Sequence, residues 1–245
     1  SHAHVYINGQ EAGYWPYGYN SFHLDVTPYL KAGEVNELAV RLENENESSR
    51  WYPGAGLYRN VHLVVTEDAY VPTWGTHVTT PVVNEKYAKV VLNTKLATAK
   101  GADRSAYRIV TEIKDPNGKV VAKEENKLSV YNECQFEQEF AVATPALWSV
   151  ENPFLYTAES KIYAGNTLKD EYTTRFGIRT LEIIPEKGFC LNGKRTKFKG
   201  VCNHHDLGPL GAAVNDAAIR RQIRIMKDMG VNAIRTSHNM PAPEL

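Results

Sequence analysis

The chain has 245 residues, room for two or three modest domains, and its 28 Lys plus Arg balance its 28 Asp plus Glu. That balance excludes the electrostatic footprint of a nucleic-acid or anionic-membrane partner. A hydrophobic content of 42% and an aromatic content of 10% exclude a disordered chain, and no apolar run approaches the roughly 20 residues that span a bilayer. Cys134, Cys190 and Cys202 are odd in number and widely spaced, so they form no zinc-type pair and no disulfide framework; small buried residues are predicted. The start, "SHAHVYING", has neither an initiator Met nor a signal pattern and reads as a cut, which leaves cytoplasmic and periplasmic or secreted locations open.

Residues 1 to 68 read as β structure. "HVYING" ends in an Asn-Gly turn signal. "FHLDV" alternates Phe22, Leu24 and Val26 on one face; "ELAVRLEN" does so with Leu38, Val40 and Leu42, and "NVHLVV" with Val61, Leu63 and Val65. Four one-faced strands need a second sheet to cover them, and about 68 residues without a staple is marginal for that, so half a domain is predicted. Residues 69 to 181 continue as short alternating strands. "YAKVVLNTKLA" alternates in its first half. "YRIVTEIKDPNGKVVAKEENKL" is two strands around Asp-Pro-Asn-Gly, where proline pre-sets φ and glycine accepts positive φ. "LYTAESKIYAGNTLKDEYTTRFGI" repeats the arrangement around Ala-Gly-Asn. About seven strands over this span suit an immunoglobulin-like sandwich.

At about residue 182 the pattern changes. "RTKFKGV" reads as a strand. Asn215 is a helix N-cap, with Asp216 in the first turn where the helix dipole favours it. Ala218, Ile219, Ile223, Ile225, Met226 and Met229 are expected on one side of a helix that Gly230 stops. "VNAIRTSH" follows as a second strand. One β-loop-α-β unit makes parallel neighbours in a larger sheet, and alone it leaves sheet edges open. The ending "PAPEL" therefore reads as a cut as well.

Parallel β/α barrels project ligand groups from the C-terminal ends of their strands. The two strands here end in "GVCNHHD" and "IRTSHNMP", which can bring His204 and His238 side by side. Consecutive strand residues point oppositely, so His204 and His205 do not share a target, whereas His204 and Asp206 can. Three readings stand: histidines that cap strands on loop backbone, a metal site of His204, Asp206 and His238, and recognition of a hydroxyl-rich ligand by imidazole, which donates and accepts. The metal site resembles the His-x-His hydrolase barrels only in outline, because here the pair is adjacent and the alternate residue is Asp.

At these residues the whole chain resembles glycoside hydrolase family 2, the family of β-galactosidases and β-glucuronidases, in its β-galactosidase-like branch. "VYINGQEAG" with "FHLDVTPYL" resembles the N-terminal jelly-roll sugar-binding domain, and "AVRLENENESSRWYPGAGLYRNVHL" the strands and loop that close it. "TPALWSVENPFLY" and "RFGIRTLEI" are similar to the end of the immunoglobulin-like domain. "FCLNGKRTKFKGVCNHHDLGPLG" and "MKDMGVNAIRTSHNMP" resemble the opening of the catalytic (β/α)8 TIM barrel. The resemblance implies a mainly β, multidomain fragment: residues 1–68 as the C-terminal half of a galactose-binding-like jelly-roll, 69–181 as an immunoglobulin-like β-sandwich, 182–245 as the first β-α-β of the barrel.

It also implies hydrolysis of terminal non-reducing β-D-galactose with retention, by two glutamates about 5 to 5.5 Å apart. The family places both on later barrel strands, so no catalytic residue is assigned here and the piece alone is expected to be inactive. The resemblance implies that His204 and His238 hydrogen-bond substrate hydroxyls or the developing transition state. It implies that Arg235 pairs with the nucleophilic carboxylate, against a structural ion pair in the barrel, and that Asn44 reaches the pocket from the jelly-roll, where the commoner enzyme carries Asp. It admits magnesium or sodium near the pocket, which no residue here establishes, and a homo-oligomer. Trp51 and Tyr52 read as an interface anchor before a sugar-stacking pair, Trp148 as sandwich core, and "KEENKL" as a solvated strand edge. The rivals are a non-catalytic carbohydrate-binding or adhesion module and other family specificities, β-glucuronidase or β-mannosidase.

Overall fold

The structure is a computed structural model that describes residues 1–45, 56–98, 103, 106–127 and 135–245. Trp51, Tyr52 and Cys134 lie outside the described residues. By packing, residues 1–62 and 198–245 form one compact unit and residues 63–197 another.

The first unit opens with a three-stranded antiparallel sheet in which β1 (Ala3–Ile7) lies between β2 (Gln10–Trp15) and β3 (Leu38–Leu42). The β1–β2 turn is Asn8-Gly9 with φ of 51° and 79°, the doubly left-handed turn whose twist suits a two-residue hairpin. Ala3, Val5 and Ile7 are buried on one face, as period-two alternation requires. Phe22–Val26 departs from expectation. Its alternation picks the right face, since Phe22 stacks on Trp15 and the Leu24 side chain fills the space a Cβ on Gly13 would need. The segment nevertheless joins no ladder among the described residues. Asn60–Val65 likewise joins no ladder among the described residues, and Val61, Leu63 and Val65 are exposed. Alternation records which side chains share a face; a strand also needs a neighbouring backbone to bond.

The second unit carries β4 (Ala69–Tyr70), β5 (Thr76–Val83), β6 (Tyr87–Lys95), β7 (Ala97–Thr98), β8 (Tyr107–Lys114), β9 (Val120–Lys127), β10 (Gln135–Ala143), β11 (Tyr156–Ala164) and β12 (Thr167–Phe176). Its long strands form two sheets, ordered β10-β6-β5 and β12-β11-β8-β9, the two-layer sandwich expected from the strand spacing. Asp115 organises the β8–β9 turn: its Oδ1 accepts from the N–H groups of Asn117 and Lys119, and Gly118 takes a φ of 81°. β9, which holds most of "KEENKL", is an edge strand with exposed charges.

The core has two apolar clusters, one around Leu92, Ile113, Phe140 and Ile178, the other around Ile109, Phe136, Ile162 and Leu96. Burying each such side chain contributes about 1.5–3 kcal/mol. On the inward faces of β8, β10 and β11 the residues between the clusters are Thr111, Gln138 and Ser160. The Thr111 hydroxyl donates to Gln138 Oε1 at 2.6 Å and lies 2.9 Å from Ser160 Oγ, while Gln138 Nε2 donates to Asn126 Oδ1 at 3.0 Å.

Trp148 is half-buried rather than in this core. It packs on Gly177 under the Arg179 guanidinium, and Asn192 Nδ2 donates to its carbonyl at 2.9 Å. A small sheet of β13 (Leu181–Ile184), β14 (Gly188–Leu191) and β15 (Lys194–Arg195) completes this unit, turning at Asn192-Gly193 with φ of 51° and 72°.

The first unit resumes with β16 (Gly200–His204), α1 (Asp216–Asp228) and β17 (Ala233–Ser237), the two strands paired in parallel. β16 starts at Gly200, five residues later than "RTKFKGV" suggests, and runs into the first histidine. Asn215 caps α1 as expected: its Oδ1 accepts from the Ala218 N–H at 3.0 Å, and Gly230 ends the helix with a φ of 82°. The apolar stripe is narrower than expected. Ile219 is buried and Ile223 and Met226 are half-buried, but Ile225 and Met229 are exposed. At 100° per residue Ile225 sits about 120° around the helix from Ile219 and Met229 about 80°.

Candidate functional site at the strand ends

The parallel register sets Cys202 opposite Arg235 and His204 opposite Ser237. Both strands run out at the same rim, and the imidazoles of His204 and His238 meet there with ring centroids 5.4 Å apart and planes at 87°. The peptide bond joining Ser237 to His238 is cis. Arg235 joins this pair. Its Nη1 lies 3.0 Å from Ser237 Oγ, 3.2 Å from His238 Nδ1 and 3.8 Å from Cys202 Sγ. A guanidinium only donates, so His238 Nδ1 must accept, which leaves Nε2–H as the donor of that ring. One cation thereby selects the tautomer of a histidine at the strand end.

Cys202 is exposed, not buried as expected, because it shares the Arg235 face of the strand pair; Cys190 is buried. The Ser237 hydrogen bond, with Arg235 second, holds the Cys202 thiol below its usual range. Asn203 takes the other side of the strand. With Thr236, Ile219 and Gln222 it lines a cavity of about 50 Å3, which His204 and Ser237 also border; Arg235 and His238 are not among its described lining residues. That volume holds water, whereas ligand pockets run to about 300 Å3 and more.

His205 follows the end of β16 and lines the same cavity as His204. Its ring meets Tyr19 edge-on with centroids 5.0 Å apart. Burial is the main reason its imidazole is pushed below the ordinary value, with Arg59 and His204 acting in the same direction and Asp206 opposing. Asp206 shapes the loop: its Oδ1 accepts from the Gly208 N–H at 2.8 Å, and its carbonyl accepts from Gln222 Nε2 at 3.0 Å. No group of three His, Cys, Asp or Glu residues arranged to hold a metal ion occurs among the described residues.

Three of the four sequence-predicted site residues, His204, Arg235 and His238, are thus brought together. Asn44 is exposed two residues beyond β3, and no contact among the described residues joins it to them. Sequence reasoning missed Tyr17 and Asn239. The Tyr17 hydroxyl donates to Asn239 Oδ1 at 2.9 Å, across 222 residues of chain. The only signal for it was a tyrosine-rich stretch at residues 14–19, the end of β2 and the loop after it, and nothing there names a partner.

Comparison with known proteins bears on this arrangement. The profile of "Glycosyl hydrolases family 2" matches residues 70–179, and that of "Glycosyl hydrolases family 2, TIM barrel domain" matches residues 183–245. The chain is 47% identical to the β-galactosidase BoGH2A of Bacteroides ovatus over 98% of its own length and 29% of the relative's. It is 30% identical to a β-glucuronidase of Bacteroides fragilis, covering 96% of this chain and 36% of that one. Among solved structures, a glycosyl hydrolase family 2 member from Bacteroides cellulosilyticus superposes with a TM-score of 0.94 at 38% identity, over 100% of this chain and 32% of that one. The chain therefore spans about a third of the length of these relatives. Two family profiles laid end to end over most of the sequence, and a fold that follows a solved relative throughout, place the chain in glycosyl hydrolases family 2.

Proposed function

We propose that the chain is part of a retaining glycoside hydrolase that removes terminal non-reducing β-D-galactose, with His204 and His238 gripping sugar hydroxyls. The observation that carries this reading is the meeting of the two imidazoles at 5.4 Å where parallel strands end. Arg235 fixes His238 with Nε2–H as donor, so that ring presents one defined hydrogen-bonding group to a hydroxyl. In this reading the remaining guanidinium N–H groups hold the nucleophilic glutamate, which the family supplies from a later strand, ionised and oriented. Asn44 is proposed as a further contact from the jelly-roll. The domain division at 1–68, 69–181 and 182–245 goes with the proposal, supported by the profile borders at 70, 179 and 183.

Galactoside is preferred over glucuronide on a narrow margin, identity being 47% to a β-galactosidase, 40% to a putative β-glucuronidase of Formosa agariphila and 30% to the β-glucuronidase of Bacteroides fragilis. The second of these keeps β-glucuronide as the alternative. The test is the full-length protein on 4-nitrophenyl β-D-galactoside, β-D-glucuronide and β-D-mannoside, with His204→Ala and His238→Ala alongside. The expected result is galactoside as the best substrate and kcat/KM lowered about 10- to 100-fold in each variant, the cost of one lost hydrogen bond to the transition state. A better glucuronide reassigns the sugar. Wild-type kinetics in both variants removes the site, and turnover of none of the three points to a non-catalytic module.

A further inference from the structure

We propose that Tyr17 and Tyr19 form a clamp that positions the two histidine-bearing strand ends, an inference that rests on the sugar-binding reading of His204 and His238. Each tyrosine touches the residue that directly follows one of these histidines. Tyr17 Oη donates to Asn239 Oδ1 at 2.9 Å, next to His238. The Tyr19 ring meets the His205 ring at 5.0 Å, next to His204. The two tyrosine rings are 5.6 Å apart, so one loop braces both ends. The loop is itself held: Tyr58 Oη donates to the Gly18 carbonyl at 2.6 Å, and the Val214 N–H donates to the Tyr58 carbonyl at 2.8 Å. Beyond Asn239, Arg59 Nη2 donates to the Met240 carbonyl at 2.6 Å.

The chemistry suits a positioning role. The Tyr17–Asn239 bond is directional and fixes a side chain one peptide away from His238. The Tyr19–His205 contact is an aromatic edge contact that needs the ring and not the hydroxyl. Burial favours the uncharged form of the His205 imidazole, which matches an apolar partner. Neither tyrosine is assigned a contact with sugar. Each acts through a histidine, and a displacement of about 1 Å at a reacting centre costs up to about 100-fold in rate.

The experiment is a double-mutant cycle in the full-length protein, with kcat and KM measured on whichever of the 4-nitrophenyl galactoside, glucuronide and mannoside is hydrolysed fastest. Tyr17→Phe is expected to lower kcat/KM about 10-fold without moving the thermal unfolding midpoint, and to have no further effect once His238→Ala is present. Tyr19→Ala is expected to lower kcat/KM, and Tyr19→Phe to retain it. Unchanged kinetics in Tyr17→Phe, or a loss that adds in full to that of His238→Ala, overturns the clamp. Turnover of none of the three glycosides by the unmodified protein removes the sugar reading and the clamp together; turnover with additive losses removes the clamp alone.

Discussion

Arg235 Nη1 donates to His238 Nδ1 at 3.2 Å and to Ser237 Oγ at 3.0 Å, so a permanently charged side chain sets the hydrogen-bonding polarity of the ring at the end of β17. Lysine carries the same charge, but its ammonium ends one bond nearer the backbone than Nη1, the nitrogen from which both hydrogen bonds come. Arg235→Lys is therefore expected to lower kcat/KM of the full-length enzyme about 10- to 100-fold while leaving the unfolding midpoint nearly unchanged. Steady-state kinetics beside thermal unfolding checks this. Undisturbed kinetics would show that His238 is held some other way.

His205 makes stability depend on pH in a defined direction. Burial, with Arg59 and His204 nearby, depresses its folded-state imidazole below the ordinary value of about 6.5. The unfolded chain then takes up the proton more readily than the folded one. This contribution is fully present above about pH 6.5 and is lost as pH falls toward the depressed value. Urea midpoints measured between about pH 5 and 8 should fall on the acid side in the wild type and fall less in His205→Phe, which keeps an aromatic ring beside Tyr19.

The polar layer of the sandwich gives a stability prediction. Thr111→Val removes the hydroxyl that serves both Gln138 Oε1 and Ser160 Oγ, at a site where all three residues are buried. The cost is expected to be about 1–3 kcal/mol by denaturant unfolding, because two buried groups lose a partner. Adding Gln138→Leu and Ser160→Ala to that background should recover part of the loss, since the two buried groups that the missing hydroxyl left without it are then removed as well. A triple variant less stable by the sum of three independent losses would contradict the network.

What the sequence made legible was local. The Asn8-Gly9 hairpin, the Asp115–Gly118 turn and the Asn215 cap each depend on residues a few positions apart, and all three appear as expected. Alternation marked the segment of β6, and the turn signals marked the strand pairs β8–β9 and β11–β12, for the same reason. Alternation did not suffice at Phe22–Val26 and Asn60–Val65, where the pattern is present but no backbone partner occurs among the described residues, a property of two segments that one segment cannot display. The meeting of His204 and His238 followed from parallel pairing once both strands were recognised. The Tyr17–Asn239 bond spans the whole length of the chain and belongs to no periodic pattern, so it emerged only with the fold.

The most direct measurement is a crystal structure of the full-length protein with D-galactose bound. The account predicts the sugar at the rim of β16 and β17, with His238 Nε2 and a ring nitrogen of His204 each within about 3.2 Å of a hydroxyl oxygen. A sugar held elsewhere, with both imidazoles facing only protein or water, would contradict it.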